Sequence, residues 1–391
     1  MTKAAETFNR IYGREPEMNL FTPYRVCPIG AHVDHQLGVI TGFAIDKGIH
    51  LACIPSDDGI VEVSSLQFEG RVRFDLKQIP DRKQNDWADY LRGAAAALSR
   101  IHPLKIGLRG VFNGELPIGG LSSSAAVVIT FLNGLCKING IPLTEEEMIC
   151  TAVAAENNYV GVSSGKLDQS CEIYCRKDHL LYMDMADGSY ERIPMDPQMK
   201  PCRIAVLFSG IERTLAGSRY NTRVDECRGA AYALKAYAGM DYGKIAQTNL
   251  REVPEEVFLR YRDRLPEPWV KRLNHYYSEC NRVRKGVDAW RRGDMDAFGE
   301  LIFESGLSSI EQWEAGSPEL KSLYRIMRKT DGIYGGRFSG AGFRGCCMAV
   351  VDPAYEESIR ETVSREYLRE FPELEGKFGI CFCDTADGVI L

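Results

Sequence analysis

The stretch 108–135 constrains the fold most. A strand-like run at 108–113 enters the loop Gly114-Glu-Leu-Pro-Ile-Gly-Gly-Leu-Ser-Ser-Ser-Ala-Ala, which opens into an apolar, helix-like run at 127–135. Gly119 and Gly120 keep side chains out of the turn, and Ser122, Ser123 and Ser124 stand at the helix start. Exposed backbone N–H groups there, reinforced by the helix dipole, attract phosphate oxygens. An N-capped helix after a glycine turn has the same outline. The loop therefore gains meaning only from what accompanies it.

A second stretch, 23–46, holds two β-branched and apolar runs, 25–29 and 39–45, that read as strands. Between them lies a compact polar turn: Gly30, His32, Asp34, His35, Gln36 and Gly38. Glycines at both ends permit tight backbone, so donors and acceptors can converge on one small polar ligand. An ordinary connecting turn draws on the same residues. Short strands follow at 49–54, 60–65 and 72–75, then an Ala-rich helix at 87–99 that Asn85 or Asp86 can cap. Thr144 and Glu147 form a capping box for a helix ending near 159–161. Within that helix Glu156 precedes Asp168 by twelve positions. Two such carboxylates can divide metal binding from general-base work, or simply be solvated acids. The run Gly161–Lys166 is one residue too short for a Walker loop, and no Ser or Thr follows Lys166.

The length of 391 residues predicts two domains. Three prolines in 194–201 mark the junction, which divides the chain into 1–198 and 199–391. A strand at 203–208 opens the second unit. Helical patterns follow at 221–238, 270–292, 296–305 and 319–329. A second Gly-rich segment, Gly335-Gly-Arg-Phe-Ser-Gly-Ala-Gly-Phe-Arg-Gly-Cys-Cys, leads to a strand at 348–351. A net charge of −6 and the lack of a basic tract argue against nucleic acid as partner. The first 16 residues read as an amphipathic helix rather than a signal peptide, and no apolar run reaches membrane-spanning length. The 13 cysteines include no CxxC pair, and the six histidines no HExxH. Free, mostly buried thiols fit a reducing cytoplasm.

Taken together, these segments resemble the GHMP small-molecule kinases, and within them the galactokinase family. The resemblance rests on Arg25 with Gly30-Ala-His-Val-Asp34, on the loop 116–126, and on Glu156 with Gly165-Lys-Leu-Asp168-Gln. It also rests on Ser218-Arg-Tyr-Asn-Thr-Arg223, on the segment 337–347, and on Arg291-Arg-Gly-Asp and Ser317-Pro-Glu-Leu. The fold it implies is α+β: an N-terminal domain like the second domain of ribosomal protein S5, packed on a ferredoxin-like C-terminal domain. The implied fold allows the last strand to return to the N-terminal domain. The implied reaction is phosphorylation of a sugar's anomeric hydroxyl by ATP with Mg2+. Asp168 is the implied base or orienting group, and Arg25 stabilises developing charge. Gly119, Gly120, Leu121, Ser122, Ser123 and Ser124 wrap the phosphates, while Ser124 and Glu156 hold magnesium. Asp34 and Tyr220 bind sugar hydroxyls, with His32 in support.

Four departures from the family pattern are informative. The sugar turn reads Ala31-His32-Val33-Asp34 where galactokinases have Glu-His-Thr-Asp. The phosphate loop is one residue shorter, Arg219 replaces an acid before Tyr220, and Arg344 stands where glycine is usual. The first departure and the Ser339–Cys347 spelling resemble the galacturonate kinases. In galactokinases the absent Glu is implied to contact C6 of the sugar. Were C6 a carboxylate, two like charges about 4 Å apart at an effective dielectric near 20 would repel by about 4 kcal/mol, roughly a thousandfold in binding. Ala31 removes that repulsion and frees volume. A cation suits a uronate, and Arg344, then Arg219, then Lys166 are the candidates. The expected substrate is D-galacturonate. The alternatives are galactose, arabinose or another sugar, and a sugar-sensing regulator without turnover.

Overall fold

The computed structural model describes residues 1–211 and 219–391, and their side chains except that of residue 219. Its first sheet contains β1 (Met18–Val26), β2 (Val39–Ser56), β3 (Ile60–Ser65), β4 (Arg71–Asp75), β5 (Gly107–Gly114), β6 (His179–Asp184) and β7 (Tyr190–Pro194). Their order is β4-β3-β5-β2-β6-β7, with β1 added to β2. Alternation along β2 divides its side chains between two faces. Ala52 and Ile54 meet α1 (Lys3–Tyr12) through Ala4, Ala5 and Phe8. Leu51 and Cys53 enter the main core. There α3 (Ser123–Asn139) and α5 (Leu167–Tyr174) pack on the sheet, and α2 (Asp89–Ser99) and α4 (Glu145–Ala154) pack on α3. The Thr144–Glu147 capping box is present at the start of α4.

Two expectations are corrected here. The separate strands at 39–45 and 49–54 are a single 18-residue strand, β2. β1 pairs along both halves and absorbs the intervening residues as an irregularity between Pro23 and Arg25. Gly48 permits this, because a Cβ there would lie 2.1 Å from the Thr22 carbonyl oxygen. The strand before the polar turn likewise ends at Val26 rather than at 29.

The second sheet is antiparallel: β8 (Arg203–Phe208), β9 (Ile333–Phe338), β10 (Cys346–Val351) and β11 (Gly379–Cys383), in the order β11-β8-β10-β9. This is the ferredoxin-like order, with six helices inserted: α6 (Arg219–Tyr237), α7 (Glu255–Tyr261), α8 (Glu267–Arg291), α9 (Met295–Glu311), α10 (Pro318–Met327) and α11 (Glu356–Glu370). All six residues of β10 are buried, which explains its unbroken apolar run. Residues 195–202 link the two sheets. The chain then returns, because β12 (Thr385–Ala386) pairs with β2. Helix α8 also bridges the halves: Trp290 Nε1 donates to the Ile193 carbonyl at 3.1 Å and its ring packs on Phe43. Among the described residues no helix is long and apolar enough to cross a membrane.

Candidate active site

Arg25 lies near the end of β1, fully surrounded by protein, and Asp168 lies in the first turn of α5. Their 143-residue separation closes to contacts on one carboxylate oxygen, Oδ1: a 2.8 Å hydrogen bond from Nε and an ion-pair approach of 2.7 Å from Nη2. Burial works against the guanidinium's charge, but the adjacent Asp168 outweighs it and raises the Arg25 pKa. The pair is unequal in exposure: the Asp168 side chain is 30% accessible and that of Arg25 4%. The third contact of Arg25 is from Nη1 to the Gly120 carbonyl at 3.2 Å. One buried cation thus connects the acid to the glycine loop.

That loop is shaped by the second Gly-rich segment. Ser339 Oγ donates to the Gly120 carbonyl at 2.6 Å. Gly120 has φ +87°, and a Cβ there would meet Cys346 Sγ at 2.7 Å. Gly119 and Gly345 approach backbone to backbone, so that a Cβ on Gly345 would lie 2.8 Å from the Gly119 carbonyl carbon. Ser122 adopts φ +58°, uncommon for a residue with a side chain, and turns the chain into α3. Its hydroxyl is buried with no hydrogen-bond partner. Ser123 and Ser124 occupy the first turn of α3, where backbone N–H groups lack intrahelical acceptors.

Glu156 lies in a π-helical turn, Ala155–Val160, at the end of α4. It is buried and accepts from Gln169 Nε2 at 2.6 Å, which ties it to the residue after Asp168. Among the described residues no three His, Cys, Asp or Glu side chains cluster to hold a metal. An oxygen set of one hydroxyl and one carboxylate, completed by phosphates and water, nevertheless suits Mg2+. Ser124 and Glu156 fit that description, and the unpaired Ser122 hydroxyl marks polar capacity in the same loop.

In the polar turn after β1, Ala31, His32 and Asp34 are buried, and Asp34 begins a short 3-10 turn. The Leu167 N–H donates to Asp34 Oδ2 at 3.3 Å, linking the turn to the start of α5. Burial and the nearby Asp168 charge raise the Asp34 pKa to about 6. Around the turn stands a wall of rings. His32 stacks on Trp313 with centroids 4.9 Å apart, and Tyr220 is 6.3 Å from His32 and 5.9 Å from His35. Burial, with the Asp34 and Asp168 charges, holds the Tyr220 phenol well above its usual range. Burial also keeps His32 neutral, and pushes His35 down to about 3.

Of the expected cations, Lys166 is engaged elsewhere, 2.7 Å from Glu146. Arg344 lies between β9 and β10 and is exposed. Ser218 and the Arg219 side chain lie outside the described residues. Sequence reasoning quoted Gln169 and Ser339 within motifs without giving either a role, and it missed Trp313; each acts through a partner more than 12 residues away, and no local pattern announces that. An open groove of about 880 Å³ between the 250–259 segment, α8 and α9 includes none of the expected site residues.

Comparison with known proteins gives the family. The family models for the GHMP kinases N terminal domain and the GHMP kinases C terminal match residues 89–176 and 287–369. A galacturonokinase of Arabidopsis thaliana is 39% identical, with 93% of this chain and 91% of that protein covered. A galactokinase of a Roseiflexus species is 33% identical over 98% of this chain and 95% of its own. The Lactococcus lactis galactokinase complexed with galactose superimposes with a TM-score of 0.88 at 26% identity, covering 99% of this chain and 98% of that one. The Methanococcus jannaschii mevalonate kinase, at 16% identity, TM-score 0.63 and coverage of 94% and 98%, shares the fold. The chain belongs to the GHMP kinases, in the galactokinase family of sugar kinases.

Proposed function

We propose that the chain transfers the γ-phosphoryl group of ATP to the anomeric hydroxyl of D-galacturonate, giving galacturonate 1-phosphate and ADP. One arrangement carries this reading. Arg25 joins Asp168 to the glycine loop, and the turn beside them presents Ala31 where the galactokinase pattern has Glu. Similarity to a galacturonokinase supports the same substrate.

Because both Arg25 contacts to Asp168 fall on Oδ1, Oδ2 is the oxygen left to accept the C1 hydroxyl proton. The freed oxygen bonds to the γ-phosphorus while the bond to the bridging oxygen breaks, and ADP leaves. Arg25 offsets negative charge gathering between acid and phosphate, and positioning with charge stabilisation is most of what phosphoryl transfer requires. Backbone N–H groups of Gly119, Gly120, Leu121, Ser122, Ser123 and Ser124 cradle the phosphates. Ser124 and Glu156 would hold Mg2+, which would neutralise phosphate charge. Asp34 accepts from two sugar hydroxyls, and Tyr220 and His32 complete the ring wall. Arg344 is the cation assigned to the uronate carboxylate. Residues 1–198 and 199–391 are the two domains in this reading, and thiols that are mostly buried suit a cytoplasmic setting.

A coupled ADP assay across galacturonate, glucuronate, galactose and arabinose tests the assignment. The expected result is the highest kcat/KM with galacturonate. Equal or better turnover of galactose overturns it, and no ADP release with any sugar would indicate a sensor.

A further inference from the structure

The sugar turn is held from behind by α8. Glu279 Oε1 accepts the Gly30 N–H at 2.7 Å. One helical turn earlier, His275 Nε2 lies 3.0 Å from the Ala31 carbonyl oxygen, and its Nδ1 lies 2.9 Å from Ser308 Oγ. A carbonyl only accepts, so Nε2 carries the ring hydrogen and Nδ1 accepts from the Ser308 hydroxyl. Burial keeps the ring neutral, with its pKa lowered to about 4, so this tautomer persists at working pH. Glu279 is in turn fixed by Arg282 at 2.7 Å, by Ser305 at 2.5 Å and by Arg337 at 3.4 Å. Arg337 also bonds Ser305 at 2.5 Å and Ser309 at 2.9 Å. His275, Glu279 and Arg337 are fully buried.

A buried ionic cluster is weak support for stability, because desolvation consumes most of its Coulomb gain. It does fix geometry well. Ala31 discriminates by the space its methyl leaves, and that space has a defined depth only if the backbone cannot shift. The two hydrogen bonds from α8 pin the amide entering Gly30 and the carbonyl leaving Ala31.

We propose that His275 and Glu279 are positioning residues which set the depth of the sugar pocket at Ala31, so that sugar selectivity is held in place by the C-terminal half of the chain. This rests on the reading of the Gly30–Asp34 turn as the sugar site. The test compares His275→Leu with His275→Gln, whose amide can still donate to the Ala31 carbonyl, using the best sugar of the panel. His275→Leu should raise the sugar KM about tenfold or more and leave the ATP KM within about twofold, since small misplacements are costly at a reacting centre. His275→Gln should recover most of the loss. Should His275→Leu not fold, Ser308→Ala decides, with a sugar-specific KM rise of roughly threefold from the freed tautomer. An unchanged sugar KM in a folded variant, or an equal rise in both KM values with no rescue by Gln, overturns the proposal. Asp34→Asn is run in parallel. If it leaves the sugar KM unchanged, the turn is not the sugar site and the positioning role falls with it. If it raises KM while the His275 variants do not, only the positioning role falls.

Discussion

The two ends of this site are built from different material. The end proposed to hold phosphate is backbone: Gly119 and Gly120 pack against Gly345 and Cys346, and the bonds shaping the loop end on the Gly120 carbonyl. The end proposed to hold the sugar is side chains: Ala31, His32, His35, Asp34, Tyr220 and Trp313, several of them buried and ionisable. A backbone cradle packed this closely tolerates little change of shape. A side-chain wall can be re-cut one residue at a time. Substrate differences within the family should therefore arise at the second end and not at the first.

The largest expected effect lies where the two ends meet. Asp168→Asn should lower kcat by about 10²- to 10⁴-fold, the usual worth of a positioned general base. The ATP KM should change little, as steady-state assays would show. Loss of less than tenfold would mean that Arg25 and positioning suffice without the acid.

Next comes Ala31→Glu. It should move the galacturonate-to-galactose ratio of kcat/KM toward galactose by up to about 10³, the Coulomb estimate for opposed carboxylates. An unchanged ratio would place selectivity outside the turn.

Gly120→Ala probes the backbone end alone. The positive φ and the 2.7 Å approach to Cys346 Sγ make it strained. A cost of roughly 10- to 100-fold in kcat/KM for ATP is expected, with the sugar KM little changed. Equal damage to both would show that the two ends are not separable.

The smallest effect is with pH. The Asp34 carboxyl has a pKa raised to about 6, so at pH 5 only about a tenth of it is ionised. With the ionised form as the proposed acceptor of both sugar hydroxyls, kcat/KM for the sugar should fall about tenfold between pH 7 and 5. His275, at about 4, and His35, at about 3, stay neutral through that window and add no charge. Asp34→Asn should flatten the profile there; an unaltered slope would assign the titration to another group.

Much of the fold was legible because periodicity and capping are local. The capping box at Thr144 and the strand–loop–helix at 108–135 appear as expected. The misreadings have physical causes. The break assumed between 45 and 49 disappears because β1 pairs across it. The pairing of Lys166 with Glu146, twenty residues earlier, was equally beyond local pattern. The clamp from α8 was invisible, since His275 and Glu279 resemble any polar residues on a long helix.

The chemistry on offer was already written in the chain: glycines and hydroxyls before a helix, an arginine and two acids at ordered places, and alanine where the family has glutamate. Those are properties of single residues and near neighbours, which local pattern carries. The partnerships came with folding. It set Arg25 against both Asp168 and Gly120, laid the second glycine segment on the first, and placed α8 behind Ala31. Such contacts join segments 95 to 249 residues apart. Their energies depend on burial and distance, and neither exists until the chain has closed.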